Sequence, residues 1–215
     1  MLNRICVDTL EIIRYYIIIK KIIKMGEKMK ILEELIIQNG KVIDNSILKV
    51  DSFLNHQIDA NLMFEIGKEF KERFKDKKID KILTIEASGI AMGVTVAYFF
   101  GVPLVFAKKK KPVTANSVYT SKVFSFTKKK EYDIIVSKDF IKAGEKVLIV
   151  DDFLAMGGAV IGLESIVKQA GAEIVGVGIV IEKGFQEGAK LLREKGLHVE
   201  SLAIIKGFEN GKVIL

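Results

Sequence analysis

The chain has 215 residues, 49% of them hydrophobic, which is enough to bury the core of one domain with a small appendage. A single cysteine, Cys6, excludes a disulfide framework and predicts a reducing, cytoplasmic location, and with only two histidines a Cys/His metal cluster is excluded as well. The net charge of +7 comes from one segment, because residues 108–130 contain eight lysines and no acidic residue, against 26 basic and 27 acidic residues elsewhere. This distribution favours a local anion site over a general nucleic-acid surface.

Residues 1–28 differ in character from the rest of the chain. The apolar stretch between residues 12 and 23 is interrupted by three basic residues, so it is too short and too broken for a transmembrane helix. It lacks the small-residue cleavage site of a signal peptide. A helix lying on a membrane surface is one interpretation, and a translation start at Met25 or Met29 is the other. A membrane contact is expected only if this segment is present in the protein.

Two amphipathic helices are predicted before the first strand of a sheet. One runs over residues 29–39 and the other over residues 62–74. The second helix has an apolar face at helical spacing, formed by Met63, Ile66, Phe70 and Phe74. The connecting residues 41–55 are apolar without a regular period, and we expect an irregular structure there.

A strand, a polar loop and a helix come next. Residues 82–85 predict a short buried strand, residues 86–89 a loop, and the following residues a helix that ends near Gly101. Taken alone, the four-residue loop does not distinguish a ligand site from an ordinary turn.

The lysine-rich segment is predicted to belong to a flap. A strand over residues 103–107 precedes it, and residues 123–126 and 132–136 alternate as two antiparallel strands would. Residues 108–121, which lie between the strand over residues 103–107 and the first strand of the flap, are basic and polar without apolar periodicity. We expect a two-stranded flap with a mobile, basic tip that orders over a ligand, and a solvated linker is the alternative.

The most informative stretch is residues 147–159. The four apolar residues 147–150 have no polar face and predict a strand that is buried on both sides, as in a parallel sheet. Asp151 and Asp152 follow directly. We expect the strand to end there and the two carboxylates to be exposed.

A Gly-Gly turn after the two acids can bind an anion. The amides of residues 155–159 open a helix, and Gly157 and Gly158 allow a close approach to the backbone. The stretch is neither a Walker loop nor a Rossmann fingerprint, because it lacks the Gly-Lys-Ser/Thr and Gly-x-Gly-x-x-Gly patterns. Carboxylates would repel an anion bound beside them unless they faced sugar hydroxyls or a metal ion. A phosphorylated sugar has both features.

The remaining residues complete the predicted sheet. Residues 174–181 and 199–205 are strands, residues 187–194 form a helix, and Gly176 and Gly178 allow close packing. Repeated strand–helix units predict an α/β fold with a parallel sheet and right-handed crossovers.

Ligands bind such sheets at the carboxyl ends of the strands. Those ends carry Glu86, Lys108, Asp151 and Lys183. We therefore expect these four residues to converge on one site.

Residues 147–159 resemble the phosphoribosyl-diphosphate (PRPP) signature of the type I phosphoribosyltransferases. Residues 48–59, 84–91, 167–172 and 179–186 are similar to the purine branch of that family and, within it, to the bacterial enzymes that use xanthine. The resemblance runs from about Met29 to the C-terminus, which favours a translation start there and a phosphoribosyltransferase domain over residues 29–215. It implies the type I fold, in which helices flank a central parallel sheet that carries a β flap and a small N-terminal hood.

The resemblance also implies roles for individual residues. Asp151 and Asp152 would contact the ribose hydroxyls. The phosphates of PRPP would be bound by two loops and the flap, through Ala155, Met156, Gly157, Gly158, Ala159, Glu86, Ala87, Ser88 and Lys108. The purine would be bound by Leu48, Asn55, Lys183 and Phe185, with Lys183 donating to a carbonyl oxygen and Phe185 offering a ring for stacking.

The implied reaction is displacement of diphosphate from PRPP by a purine nitrogen, which forms xanthosine 5'-monophosphate in purine salvage if the base is xanthine. Mg²⁺ and the flap lysines would stabilise the leaving group. Hypoxanthine-guanine enzymes have an Asp where this chain has Ala155, so we assign no general base. Met156 and Ala159 stand where Thr is common, which leaves phosphate binding to backbone amides. The resemblance further implies a homodimer.

Three alternatives stay open. An adenine enzyme shares the PRPP motif, although Lys183 is purely a donor and cannot accept from an exocyclic amine. A hypoxanthine/guanine enzyme would use the same donor. A PRPP-responsive RNA-binding regulator of the same fold could bind RNA through the lysines, and the salt dependence of RNA binding would separate it from an enzyme. We expect no nucleic-acid partner.

Overall fold

In a computed structural model of the chain, the described residues are 30–44, 46–110, 117–125 and 130–215. The N-terminal segment 1–28 lies outside them, and so do residues 111–116 of the predicted flap tip, whereas residues 108–110 and 117–121 of that tip are described.

The helices and strands follow one another in a largely alternating order. In chain order they are α1 (30–39), β1 (Lys41–Ile43), β2 (Ile47–Lys49), α2 (Ala60–Arg73), β3 (Lys81–Ile85), α3 (Ser88–Phe100), β4 (Leu104–Ala107), β5 (Val118–Ser125), β6 (Lys130–Ser137), β7 (Lys146–Leu154), α4 (Gly158–Gln169), β8 (Glu173–Lys183), α5 (Gly188–Glu194), β9 (Val199–Ile205), β10 (Gly207–Glu209) and β11 (Lys212–Ile214). None of the helices in the described ranges has both the length and the apolarity needed to cross a membrane.

A parallel five-stranded sheet lies at the centre, with the strand order β4–β3–β7–β8–β9. It separates two hydrophobic cores, one against α1, α2 and α3 and the other against α4, α5 and the β5–β6 hairpin. In β7, Leu148 and Val150 belong to the first core, and Val147 and Ile149 to the second. The prediction of a parallel sheet with a doubly buried central strand is therefore confirmed.

The prediction of an irregular structure over residues 41–55 is wrong. β1 and β2 form an antiparallel hairpin, and a π-helical turn, Asp51–Asn55, leads from it towards α2. We call the hairpin and this turn together the hood. Because the hairpin strands have only three residues each, they are too short for a clear alternation to show in the sequence.

A second hairpin, β10–β11, was not predicted. It closes the chain after β9, and β11 contacts β1 of the hood. The N-terminal and C-terminal hairpins therefore lie side by side. Three-residue strands at the end of a chain carry too little pattern to be recognised.

The two strands of the predicted flap are confirmed as an antiparallel hairpin, and both are longer than expected. Val123 and Ile134 are buried in the second core, and a Cβ atom on Gly162 of α4 would overlap the side chain of Val123. This part of the hairpin is therefore packed on the domain. The mobility of the flap tip stays a prediction.

Two glycines of β8 allow α2 to lie close to the sheet. A Cβ atom on Gly178 would lie 2.8 Å from the ring of Phe70, and one on Gly176 would overlap the ring of Phe74. Phe70 and Phe74 are fully buried. The aromatic face of α2 thus occupies the space that two side chains of β8 would otherwise fill.

We predict that Gly176→Ala and Gly178→Ala each lower the free energy of unfolding by about 1–3 kcal/mol, because the added methyl group overpacks a filled core. Urea denaturation of the purified variants measures this. Gly207→Ala is the matched control, since no atom lies within 4 Å of its Cβ position. Unfolding free energies of the two core variants that equal the control would contradict this account of the packing.

Candidate active site

Asp151 and Asp152 lie within β7 and are buried, so the prediction that they are exposed at a strand end is wrong. Their side chains are 4% and 9% exposed. The ladder with β3 ends at Ile149, but the ladder with β8 continues from Asp151 to Leu154. The longer partner strand keeps β7 extended past the point where its apolar run stops.

Burial disfavours the ionised form of Asp151. It raises the pKa of this carboxyl well above the usual value, and the charge of Asp152 raises it further. The positive charge of Lys109 acts in the opposite direction. The amide of Asp152 donates to Oδ1 of Asp151 at 3.0 Å. This hydrogen bond fixes the Asp151 carboxyl, and Lys109 offsets only part of the effect of burial and of the neighbouring Asp152.

Tyr132 of β6 and Lys109 complete the surroundings of Asp151. Burial raises the pKa of the Tyr132 hydroxyl, and the charge of Asp151 adds to this shift. The Lys109 ammonium lies 5.4 Å from the centre of the Tyr132 ring. The backbone amide of Lys109 donates to Glu86 Oε1 at 2.5 Å. The strand ends of β3, β4 and β7 thus meet here, but through Glu86, Lys109 and Asp151 and without the predicted Lys108.

Residues 155–159, which the sequence predicts as an anion-binding turn, line one cavity. This cavity, of about 150 Å³, is bounded by residues 153–160 and by Val123, Phe124 and Tyr132 of the β5–β6 hairpin. Residues 155–157, which we call the β7–α4 turn, lead into α4. Gly157 caps α4 with a φ of 81°, and no side chain caps the helix. Among the described residues, the first amides of α4 therefore have no side-chain acceptor, as an anion site requires.

The loop between β3 and α3 lies beside the acid pair. Ala87 is exposed, Glu86 and Ser88 are half-buried, and the peptide bond between Glu86 and Ala87 is cis. A Cβ atom on Gly89 would overlap Thr84 Oγ1 and would lie 3.4 Å from Asp151 Oδ1. A glycine at the start of α3 is thus what allows this loop to approach Asp151.

Lys183 and Phe185 lie at the end of β8, next to the hood. The Lys183 ammonium donates to the carbonyl oxygen of Ser46 at 3.2 Å, and burial lowers its pKa. Phe185 is 43% exposed and meets Phe208 of β10 edge to face, with ring centres 5.4 Å apart. The end of β8 thus offers a partly desolvated donor, Lys183, and two residues further on an accessible ring, Phe185.

The two hood residues of the predicted purine site differ in their surroundings. Leu48 is buried in the first core, so its side chain supports the hood from below. Asn55 is exposed at the end of the π-helical turn. No side-chain hydrogen bond ties Asn55 to another part of the described chain.

Lys108 does not join the acid pair. Its backbone pairs with Ile135 of β6, and its ammonium lies 5.9 Å from the Phe106 ring. It lines a separate cavity of about 470 Å³ at the open edge of β4. Neighbouring residues in extended backbone point in opposite directions, so Lys109 takes the place that we predicted for Lys108.

The sequence reading missed four residues that shape the site. Lys109 and Tyr132 surround Asp151, as described above. Glu182, 4% exposed, directly precedes Lys183 and accepts from Arg193 at 3.1 Å and from Ser201 at 2.5 Å. An acid inside an apolar strand was the available signal for Glu182, because such a group needs donors when it is buried. Gly188 is the fourth, and its amide donates to the carbonyl oxygen of Ala155.

The family comparison agrees with this geometry. Residues 53–208 match the family described as "Phosphoribosyl transferase domain". The chain is 56% identical over 187 residues to xanthine phosphoribosyltransferase from Clostridium novyi, covering 86% of this chain and 98% of that protein. It is 58% identical over 188 residues to the protein of the same name from Clostridium tetani, covering 86% and 99%.

Solved structures with the same fold include adenine phosphoribosyltransferases. That of Thermoanaerobacter pseudethanolicus has a TM-score of 0.68 and 24% identity, with 80% of this chain and 99% of that chain covered. That of Saccharomyces cerevisiae has a TM-score of 0.66 and 23% identity, with 82% and 99% covered. At these identities the likeness concerns the fold alone. From the matched sequence family and the close relatives, we conclude that this chain belongs to the phosphoribosyltransferase family.

Proposed function

We propose that this protein transfers the phosphoribosyl group of PRPP to xanthine, forming xanthosine 5'-monophosphate and diphosphate. The observation that carries the proposal is the arrangement at the end of β7, where a buried acid pair adjoins a helix start whose cap residue, Gly157, offers no side-chain acceptor. The choice of xanthine is supported by the names of relatives that are 56–58% identical over nearly their full length.

The ribose 5-phosphate part of PRPP fits the acid pair and the β7–α4 turn. Asp151 and Asp152 accept hydrogen bonds from the ribose hydroxyls. The phosphate occupies the cavity beside Gly157 and Gly158, where it accepts from the amides at the start of α4. Ala155, Met156 and Ala159 contribute backbone amides and no hydroxyl group.

The diphosphate part of PRPP fits the loop between β3 and α3. Glu86, Ala87 and Ser88 form this loop, and Lys109 lies across it from Asp151. The transition state develops positive charge on the ribose and negative charge on the leaving diphosphate. Carboxylates beside the ribose and a lysine beside the diphosphate stabilise these charges.

The donor set fits a Mg²⁺ ion that arrives with PRPP. Within the described residues, no group of three or more acidic, histidine or cysteine side chains could hold a metal. Mg²⁺ commonly binds through one or two carboxylates together with substrate phosphates, which matches an acid pair beside a diphosphate. Bound by Asp151, Asp152 and ligand oxygens, the ion would stabilise negative charge on the leaving group.

The purine site lies between the end of β8 and the hood. Lys183 donates to the purine C6 oxygen, since its ammonium has three donor hydrogens and the bond to the Ser46 carbonyl uses one of them. The exposed ring of Phe185 stacks on the base. Asn55 reaches the C2 side, where its amide donates to the second carbonyl oxygen of xanthine. Leu48 supports the hood from the core.

We predict that the double variant Asp151→Asn, Asp152→Asn loses turnover by roughly 10²- to 10⁴-fold, since two charge-assisted hydrogen bonds are weakened. The fold stays intact. The folded state raises the pKa of Asp151 and so binds its proton more tightly than the unfolded chain does. The contribution of this carboxyl to stability therefore falls as the pH rises from the unfolded-state pKa through the folded-state pKa.

It follows that Asp151→Asn alone gains more stability over wild type at pH 7 than at pH 4. Thermal unfolding at the two pH values measures this difference, and initial rates with PRPP and xanthine measure turnover. The exposed Asp139→Asn is the control for both experiments. Wild-type turnover in the double variant would refute the assigned role of the pair.

We predict that xanthine is the best substrate in an assay of xanthine, guanine, hypoxanthine and adenine with PRPP. Asn55→Ala should lower kcat/KM for xanthine by roughly ten- to a hundredfold, because a buried carbonyl oxygen loses a donor worth about 1–3 kcal/mol. It should change kcat/KM for hypoxanthine much less, since hypoxanthine has no C2 oxygen. Lys183→Met is the comparison variant and should impair all oxopurines alike. If Asn55→Ala lowered kcat/KM for xanthine and hypoxanthine equally, Asn55 would not be the residue that recognises the C2 oxygen of xanthine.

We also propose that the protein acts as a homodimer. Apolar side chains of α2 and α3 are exposed in the single chain, with Phe64 at 45%, Val94 at 54% and Tyr98 at 70%. Phe64 and Tyr98 meet edge to face at 5.9 Å, so the patch is contiguous. A patch of this kind is typical of a subunit contact.

Light scattering at micromolar concentration should therefore give twice the monomer mass. Val94→Asp should shift the mass towards the monomer, because it places a charge in the patch. Leu191→Asp, at an exposed site on α5 across the sheet, should leave the mass unchanged. A monomeric wild-type protein would refute the proposal.

A further inference from the structure

The β7–α4 turn and the chain that follows β8 are in direct backbone contact. We call residues 184–187 the β8–α5 turn, and Gly188 is the residue that follows it. The amide of Gly188 donates to the carbonyl oxygen of Ala155 at 3.0 Å. A Cβ atom on Gly188 would overlap that oxygen and would lie 2.7 Å from the amide nitrogen of Gly157. The obstructing atoms belong to the backbone, so a change of side-chain rotamer could not relieve the overlap.

The other side of this contact is also a glycine. Gly157 has a φ of 81°, and a Cβ atom on it would lie 3.5 Å from Gly188 Cα. Gly157 is the last residue of the β7–α4 turn and the cap of α4. The two segments therefore meet backbone to backbone at a residue of the proposed phosphate site.

The β8–α5 turn transmits the position of Gly188 to the proposed purine site. The amide of Gln186 donates to the Lys183 carbonyl at 2.9 Å, and the amide of Gly184 donates to Ile205 at 2.8 Å. Four residues separate Lys183 from Gly188; the first bond closes the turn, and the second ties it to the end of β9. A shift of Gly188 relative to Gly157 would therefore move Lys183 and Phe185 relative to the phosphate site.

We propose that Gly188 is a positioning residue that sets the distance between the phosphate site and the purine site. The inference rests on the proposed function, because it assumes one ligand that occupies both sites. A nucleoside monophosphate that contacts two rigidly spaced sites gains from both only if its length matches their separation. A ligand that occupies one site is insensitive to the separation.

The test compares ligands that fill one site or both. We expect Gly188→Ala to weaken the binding of xanthosine 5'-monophosphate by roughly ten- to a hundredfold, because a displacement of about 1 Å is enough for such a loss. The binding of ribose 5-phosphate should change by less than about threefold, since it contacts the acid pair and the β7–α4 turn but does not reach the purine site. Isothermal titration calorimetry of wild type and variant with each ligand measures both effects.

Gly178→Ala is the matched control, because it also adds a methyl group at a crowded glycine but faces Phe70 in the core. It should leave the ratio of the two affinities at the wild-type value even if it destabilises the fold. If Gly188→Ala does not fold, a variant with one glycine inserted between Gln186 and Glu187 lengthens the same turn without a Cβ atom. That insertion should show the same selective loss.

Two results would overturn the inference. Equal losses for ribose 5-phosphate and for the nucleotide would mean that Gly188 merely shapes the phosphate site. An unchanged affinity for the nucleotide in both variants would mean that the separation is set elsewhere. A wild-type protein that binds ribose 5-phosphate but no purine nucleotide would instead refute the proposed function, and the inference with it.

Discussion

The site depends on the parallel pairing of β7 with β8 beyond the point where β3 ends. β3 pairs with β7 only as far as Ile149, whereas β8 continues alongside from Asp151 to Leu154. The backbone of β7 therefore stays extended and hydrogen-bonded through Asp151 and Asp152. As a result, both carboxyl groups are buried and do not lie in an exposed loop. The same pairing makes β7 and β8 end side by side, so the turns that follow them can touch.

The electrostatic character of the site follows from that burial. Desolvation raises the pKa of Asp151, and the adjacent Asp152 adds to the effect, while Lys109 compensates only in part. Two carboxyls in such a setting favour a ligand that supplies hydroxyl donors or a cation. The start of α4, where Gly157 offers no side-chain acceptor, lies only a few residues further along the chain and favours an anion. A sugar phosphate brings both kinds of group, which is why the two features together are more informative than either alone.

Glycines determine how closely the parts of the molecule approach one another. Gly176 and Gly178 bring α2 onto the sheet, Gly89 brings the β3–α3 loop towards Asp151, and Gly188 brings the β8–α5 turn onto Gly157. In each case the space of a missing side chain is taken by an aromatic ring, a polar side chain or another backbone. The precision of the site therefore rests on backbone packing as much as on the polar residues that line it.

The sequence by itself determined the α/β class, the doubly buried β7, the Gly-Gly turn into α4 and the resemblance to the family, because each depends on local pattern. It did not show that β7 runs through Asp151 and Asp152, since the length of β8 decides that. It predicted Lys108 where Lys109 lies, because the direction of each side chain depends on pairing with β6. The hood, the C-terminal hairpin and the contact at Gly188 came only from the tertiary structure, since short strands and backbone contacts between distant turns leave no periodic signal in a single sequence.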